Sequence, residues 1–512
     1  MDGPFSAITI LVLAAIIGLW YILDYLYAPR HSSGEPPVLP SSVPYVGHII
    51  GLLRHGTRYY QTTSAKCKHP IYTLNMLNGK VYIVTSPDLV SAVNRNSKSL
   101  AFNPFIAQLG KRITGHDDAT SQIVQHNLNG EQGSGYVIEV HDGLVAALSP
   151  GAHLESMIAP MLQKASTYID DLDCSNEVDL FAWMRRMVTM CSTTAIYGPD
   201  NPFAKNSDYT DFFWDFDHDL NLLIIDVFPT LTAPKGSRAR SILGTEFQQY
   251  FENYKPGQTQ SSAMIQARHA ANTKHGVSLW NQGRLEVGTL LGILANTIPS
   301  AFYMLVHIYS DPSLLKDIRA ELETTAVSTA PPDAKRTLCI LTLRDKCHLL
   351  HSTFQEMLRV HAHGAGSRFV REDTILDDQY LLKKGMVIQM PMAVMHSDPS
   401  IWGPDVASFQ PRRFLKPNEA SKGLKANSPA YRPFGGGASM CPGRHFVALE
   451  VLALTACMVL RFDIMPVVGE WSVPPQRQES LATNVFPPEK DVRVKVTRRA
   501  GFEAVVWDFA MK

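Results

Sequence analysis

Pro433-Phe434-Gly435-Gly436-Gly437-Ala438-Ser439-Met440-Cys441-Pro442-Gly443-Arg444-His445-Phe446 is the stretch on which the fold turns. It reads as a glycine-rich loop, one cysteine, and then the start of a helix. The apolar run from Phe446 to Leu460 has helical length and spacing. Pro442 suits a first helical turn, where no backbone donor is needed. Cys441 is thus expected at a helix N-terminus, where the dipole and free N–H groups favour thiolate over thiol. The glycines ahead of it permit positive φ and close approach of backbone N–H groups to the sulfur. A thiolate held this way is a nucleophile or a metal ligand. A lone cysteine at a helix cap is more often plain structure.

The pattern around Cys441 argues for the ligand. Phe434, Gly437, Cys441 and Gly443 form Phe-x-x-Gly-x-x-x-Cys-x-Gly, which resembles the haem-binding loop of the cytochromes P450. The resemblance implies a mainly α fold with a small β region and haem b as cofactor, with the Cys441 thiolate as proximal iron ligand. It implies that Phe434 packs against the haem. Ser439 departs from the family, which usually has Arg or His two residues before the cysteine to pair with a haem propionate. The sterol 7α/12α-hydroxylase and prostacyclin synthase branch shares this departure. Fungal secondary-metabolite P450s are the other close resemblance.

Composition sets the surroundings. In 512 residues, 47 Lys and Arg balance 47 Asp and Glu, and no basic stripe marks a nucleic-acid binder. The 45% hydrophobic fraction is ample for a large core. The seven cysteines are scattered, with no C-x-x-C pair, which argues for a reducing compartment.

From Gly3 to Leu23 there is no charge, and Ile8 to Trp20 is densely apolar. About 20 helical residues span a bilayer core. Residues 1–28 are therefore expected to be a membrane anchor, with Trp20, Tyr21, Tyr25 and Tyr27 at one interface. The rival, a cleaved signal peptide, lacks its basic leader and small-residue cleavage site. Arg30 and His31 after the run place the following domain on the cytoplasmic side. Residues 29–48, with prolines at 36, 37, 40 and 44, read as a stiff hinge. It resembles the segment that follows the anchor in microsomal P450s, and residues 49–512 would be the haem domain.

Tyr72–Leu77 and Val81–Val84 around Asn78-Gly79 read as a hairpin. Ala101–Gly135 reads as loop and short helix, and its glycines match no dinucleotide fingerprint. Leu144–Leu172 and Val178–Ile196 have helical spacing. Leu222–Leu231, edged by Lys235 and Arg238, is either core or membrane-touching. In the sterol-hydroxylase branch the similar region roofs the substrate channel.

Leu285–Ser310 reads as one long helix, apolar on every face and so buried. Alone it is a core helix kinked at Pro299. Ahead of the cysteine loop it resembles the P450 distal helix, with Thr297 at the threonine that organises water on the oxygen side. Asn296 stands where that family usually has an acid; it orients water but carries no titrating proton. Glu356 and Arg359 lie three apart on one helix face and can pair. With Arg413 downstream they resemble the buried P450 triad of Glu, Arg and Arg. The resemblance makes Arg368 the best remaining propionate partner, with Arg371 its competitor. It also makes Ala362–Ser367 and Leu481–Phe486 border the substrate.

The expected activity is O2-dependent oxidation of a lipophilic small molecule, with electrons from NADPH through a separate NADPH-cytochrome P450 reductase. The expected location is the endoplasmic reticulum membrane. Two alternatives stay open: a P450-type isomerase or dehydratase that needs no reductase, which Asn296 permits, and a haem- or sterol-binding membrane protein without catalysis.

Overall fold

The computed structural model describes residues 11–12, 14–15, 17–19, 21–22, 31–41, 43, 46–76, 79–172, 176–330, 335–415, 428–477 and 480–511. The expected anchor lies largely outside them. Its described residues are helical, and Leu11, Val12, Ile17, Leu19, Tyr21 and Ile22 are exposed.

The hinge docks on the domain. Thr73 donates its N–H to Pro37 O (2.8 Å), and Leu39 donates to Thr73 O (2.9 Å). Glu35, buried, pairs with Lys80 at 2.8 Å and accepts from the Tyr82 hydroxyl. A proline-rich stretch has few donors of its own, so it satisfies its carbonyls on a neighbouring strand edge. That edge is β1, Ile71–Met76, paired with β2, Gly79–Val84, with Met76 opposite Gly79. The expected turn residues Leu77 and Asn78 lie outside the described set. With β3 (Leu100–Ala101), β4 (Ala365–Val370) and β5 (Val387–Pro391) they build one five-stranded sheet in the order β1-β2-β5-β4-β3. The β2–β5 pair is parallel and the rest antiparallel. This register sets Arg368 opposite Ile388.

Helices fill most of the rest. Ala101–Gly135 is more helical than its glycines suggest, with helices at Asn103–Thr114 and Asp118–Gln125. The expected helix over Leu144–Leu172 is two, Tyr136–Leu148 and Ala152–Asp170, because Pro150 and Gly151 (φ 150°) break it. The expected Leu285–Ser310 helix starts earlier and is also two: α1, Leu279–Leu294, and α2, Thr297–Tyr309. Every residue of α2 is buried. Leu279–Tyr309 is long and apolar enough to cross a membrane, yet 78% of its most apolar window is buried inside the protein. It is the central core helix. Around it pack α3, His348–His361, and α4, Arg444–Arg461. Leu222–Leu231 divides: Leu223 is core, whereas Val227, Phe228 and Leu231 are exposed, with Phe228 in the left-handed region (φ 46°).

Candidate active site

Cys441 closes its own loop by donating its backbone N–H to Phe434 O at 2.9 Å. Two glycines make the bend possible. Gly435 (φ 78°) and Gly437 (φ 59°) are left-handed, and a Cβ on Gly437 would sit 2.9 Å from Asn94 Oδ1. Gly443 has ordinary φ, so its role is space: a Cβ there would stand 3.8 Å from Cys441 Sγ. The helix begins later than expected. Gly443 is the N-cap of α4, so Pro442 lies just outside the first turn. Burial pushes the Cys441 thiol up, outweighing the Gly443 and Arg444 N–H groups and the Arg444 charge that pull it down. Burial of the sulfur and the helix end thus pull this thiol in opposite directions. Phe434 is half-buried against the main core.

Behind the loop stand two buried guanidinium groups. Arg368, 1% exposed on β4, donates to Ser367 O (2.7 Å), Gly436 O (3.0 Å) and Asn94 Oδ1 (3.1 Å). Arg432, 3% exposed, has no hydrogen-bond partner among the described residues at Nε, Nη1 or Nη2. Burial lowers both to about 10, and for Arg368 the Arg432 charge adds to it. Arg371, the competitor, instead pairs with Glu131 at the surface. Ser439 spends its hydroxyl on Gly436 O. Sequence reasoning missed Arg432. Its signal was available: a basic residue directly ahead of Pro433-Phe434.

A thiol at a helix head and two buried cations without a carboxylate partner among the described residues fit a group that carries a thiolate-binding metal and negative charge. Haem b, which the fold implies, has that donor chemistry. Cys441 would hold its iron, Gly443 would leave room beside the sulfur, and Arg368 would face one of its carboxylates.

On the other side, α1 and α2 part at Ala295-Asn296. Thr297 donates its hydroxyl to Ile293 O (2.7 Å), and Ser300 donates to Asn296 O (2.7 Å). Thr297 is buried, and its Oγ1 keeps only acceptor capacity. Asn296, the residue expected to orient water, has its amide oxygen in use within the protein. Its Oδ1 accepts from the backbone N–H groups of Asn484 (2.7 Å) and Val485 (3.1 Å). Asn484 O in turn accepts from His363 N at 2.7 Å, and Asn221 Oδ1 accepts from Leu481 N at 3.0 Å. The broken helix, the strand entry at Ala362–Ser367 and the loop Leu481–Phe486 are thus knotted together.

Glu356, Arg359 and Arg413 meet. Arg359 grips Glu356 with two bonds of 2.8 Å, and Arg413 Nε donates to Glu356 Oε1 at 3.2 Å. Glu356 and Arg359 are buried, and Gln410 N adds a fourth bond to the carboxylate. His396 links this cluster to the cysteine loop. Its carbonyl accepts from Arg359 Nη1 (2.8 Å) and its Nε2 accepts from Arg432 N (3.1 Å).

The family model for Cytochrome P450 matches residues 36–492. The cytochrome P450 monooxygenase nodJ of Hypoxylon pulicicidum is 34% identical over 484 residues, covering 93% of this chain and 92% of that protein. The cholesterol 7-alpha-monooxygenase of Cricetulus griseus is 22% identical over 505 residues, covering 93% and 95%. Among solved structures, retinoic acid-bound cyanobacterial CYP120A1 superposes with a TM-score of 0.70 at 20% identity, covering 91% of this chain and all of that one. These matches span the cysteine loop, the buried Glu–Arg–Arg cluster and the broken core helix alike, and the chain belongs to the cytochrome P450 family.

Proposed function

We propose that this P450 monooxygenase hydroxylates a lipophilic small molecule with a terpenoid, steroid or polyketide-type skeleton. One oxygen atom of O2 enters the substrate and the other leaves as water. NADPH supplies the two electrons through a separate reductase. The observation that carries the reading is Cys441 at the head of α4, in a glycine loop backed by two buried guanidinium groups. Haem b, when bound, supplies the oxygen chemistry; the protein supplies position and electrostatics.

The chain's own residues have these parts. Cys441 would hold the haem iron through its sulfur. Phe434, Gly437 and Gly443 shape its cradle, and Arg368 neutralises negative charge behind it. Thr297, with its proton committed to Ile293, accepts a hydrogen bond from water on the oxygen side. Asn296 holds the substrate loop. The apolar residues between Leu481 and Phe486 line a site suited to a lipophilic guest. The similarity to a protein named for cholesterol oxidation supports a polycyclic skeleton. Residues 1–28 anchor the chain in the endoplasmic reticulum membrane in a single pass. Residues 29–48 set the haem domain, 49–512, on the cytoplasmic side, and the exposed Val227, Phe228 and Leu231 lean on lipid.

Two measurements test this. Carbon monoxide bound to the reduced protein should give the shifted Soret band of thiolate-ligated haem, and Cys441→Ser should abolish it. Mass spectrometry of lipophilic metabolites, with and without the protein in its host, should show a product heavier than the accumulated precursor by one oxygen. Equal masses would favour the isomerase reading, which Asn296 in the acid's place keeps in view.

A further inference from the structure

Arg432 is the side chain the reading above leaves without work. It is only 3% exposed, and among the described residues all three of its guanidinium nitrogens lack a partner. Among the described residues, no carboxylate pairs with it or with Arg368. A buried cation without a counter-charge is strongly unfavourable, so such an arrangement persists where an anion is to be received. The position is built. The Arg432 backbone N–H is fixed on the neutral ring of His396, whose pKa burial lowers to about 3. Its Nη2 lies 3.2 Å from where a Cβ on Gly436 would stand and 3.6 Å from where one on Gly366 would stand. Side chains at either place would fill the space around the guanidinium. Arg368 Nη2 reaches the same spot, on Gly436 O. Gly366 and Arg368 share one face of β4, two residues apart.

We propose that Arg432 binds a propionate of the haem jointly with Arg368, replacing the basic side chain that Ser439 does not provide. This rests on the haem-thiolate reading. A planar guanidinium takes a carboxylate with two parallel bonds, and here two such groups converge on one glycine of the cysteine loop. The gap at Ser439 is then filled from the other end of the loop. Asn94 completes the arrangement by accepting from the same Arg368 Nη2 that donates to Gly436 O.

The test compares wild-type holoprotein with Arg432→Gln, Arg432→Lys and, as a surface control, Arg371→Gln. Haem transfer to excess apomyoglobin gives the release rate. Release from Arg432→Gln should be about 10- to 100-fold faster, the range for losing a hydrogen bond between charged groups. Arg432→Lys should fall between, and Arg371→Gln should match wild type. Resonance Raman should show the propionate bending band of Arg432→Gln displaced. A merely structural Arg432 predicts a different pair of results. There the apoprotein of Arg432→Gln would melt lower than wild-type apoprotein. On this proposal it melts no lower, because removing an uncompensated buried charge relieves the empty site. Wild-type release with an unmoved propionate band, or a destabilised apoprotein with an unmoved band, overturns the proposal. The thiolate Soret band reports Cys441 alone. Its presence in wild type alongside unchanged release in Arg432→Gln therefore rejects Arg432 while the haem-thiolate reading stands. Its absence in wild type rejects both.

Discussion

Asn296 shows how one substitution redirects a residue. An acid at this point could titrate; the amide cannot, and its oxygen is occupied by the backbone N–H groups of Asn484 and Val485. Asn296→Ala leaves those donors unpaired, at a cost of about 1–3 kcal/mol. Hydrogen exchange at Asn484 and Val485 should then speed up roughly 10-fold or more, while Asn296→Asp, which keeps an acceptor, should protect them. Unchanged protection in the alanine variant would mean the loop is held by other contacts. Glu450 on α4 is the second residue with a legible consequence. It is fully buried, accepts from Ser192 Oγ at 2.7 Å, and burial raises its pKa from 4.5 to about 8. The folded state therefore binds this proton more tightly than the unfolded chain. The stabilisation is whole below about 4.5 and is lost as pH rises through about 8. Glu450→Gln can accept from Ser192 and cannot ionise. Its melting temperature should fall less than that of wild type between pH 6 and pH 8, and equal slopes would refute the assignment.

At the level of elements, the helix α3 is where sequence and packing join. Its Glu-x-x-Arg pair is common on exposed helices and contributes little there. Here both side chains are buried and the carboxylate accepts four bonds, so cutting one partner strands a charge. Arg359→Ala should cost about 3–5 kcal/mol. Its effect should reach the cofactor, because Arg359 holds the His396 carbonyl and the His396 ring holds the Arg432 backbone. The haem-to-protein ratio of the purified variant is expected to drop severalfold; a normal ratio would separate the cluster from haem retention. The break between α1 and α2 belongs to the same level. Periodicity showed one apolar helix, because Ala295 and Asn296 do not disturb the apolar pattern. Pro299 lacks an N–H, and the Thr297 and Ser300 hydroxyls turn back onto Ile293 and Asn296, so the ladder is interrupted there.

For the whole molecule, the question is how the domain meets a membrane. The one long apolar helical stretch among the described residues is the buried core helix, and the proposed anchor is residues 1–28. Deleting 1–28 should move the protein from the carbonate-resistant membrane fraction to one released by carbonate. The haem content should be unchanged, since the hinge docks on β1 through residues 35–39 and needs no anchor to do so. Retention in the carbonate-resistant fraction would overturn the anchor. Val227, Phe228 and Leu231 remain on the truncated protein and should give weak vesicle binding, reduced by Phe228→Ser with Leu231→Ser.

Local chemistry was readable in the chain alone. The cysteine loop announces itself because glycines of positive φ and a ligand thiol must sit at set spacings along a few residues. The Glu356–Arg359 pair is readable because helical geometry brings residues three apart together. What the chain could not show is whatever depends on distant segments arriving at one place. Arg432 was an ordinary basic residue until β4 and the cysteine loop closed around it and removed its water. Asn296 showed no tie to a loop nearly two hundred positions downstream until the fold brought that loop's two donors to its oxygen. Burial and partnership are properties of the packed molecule, and they decide whether a charge or an amide is free to act.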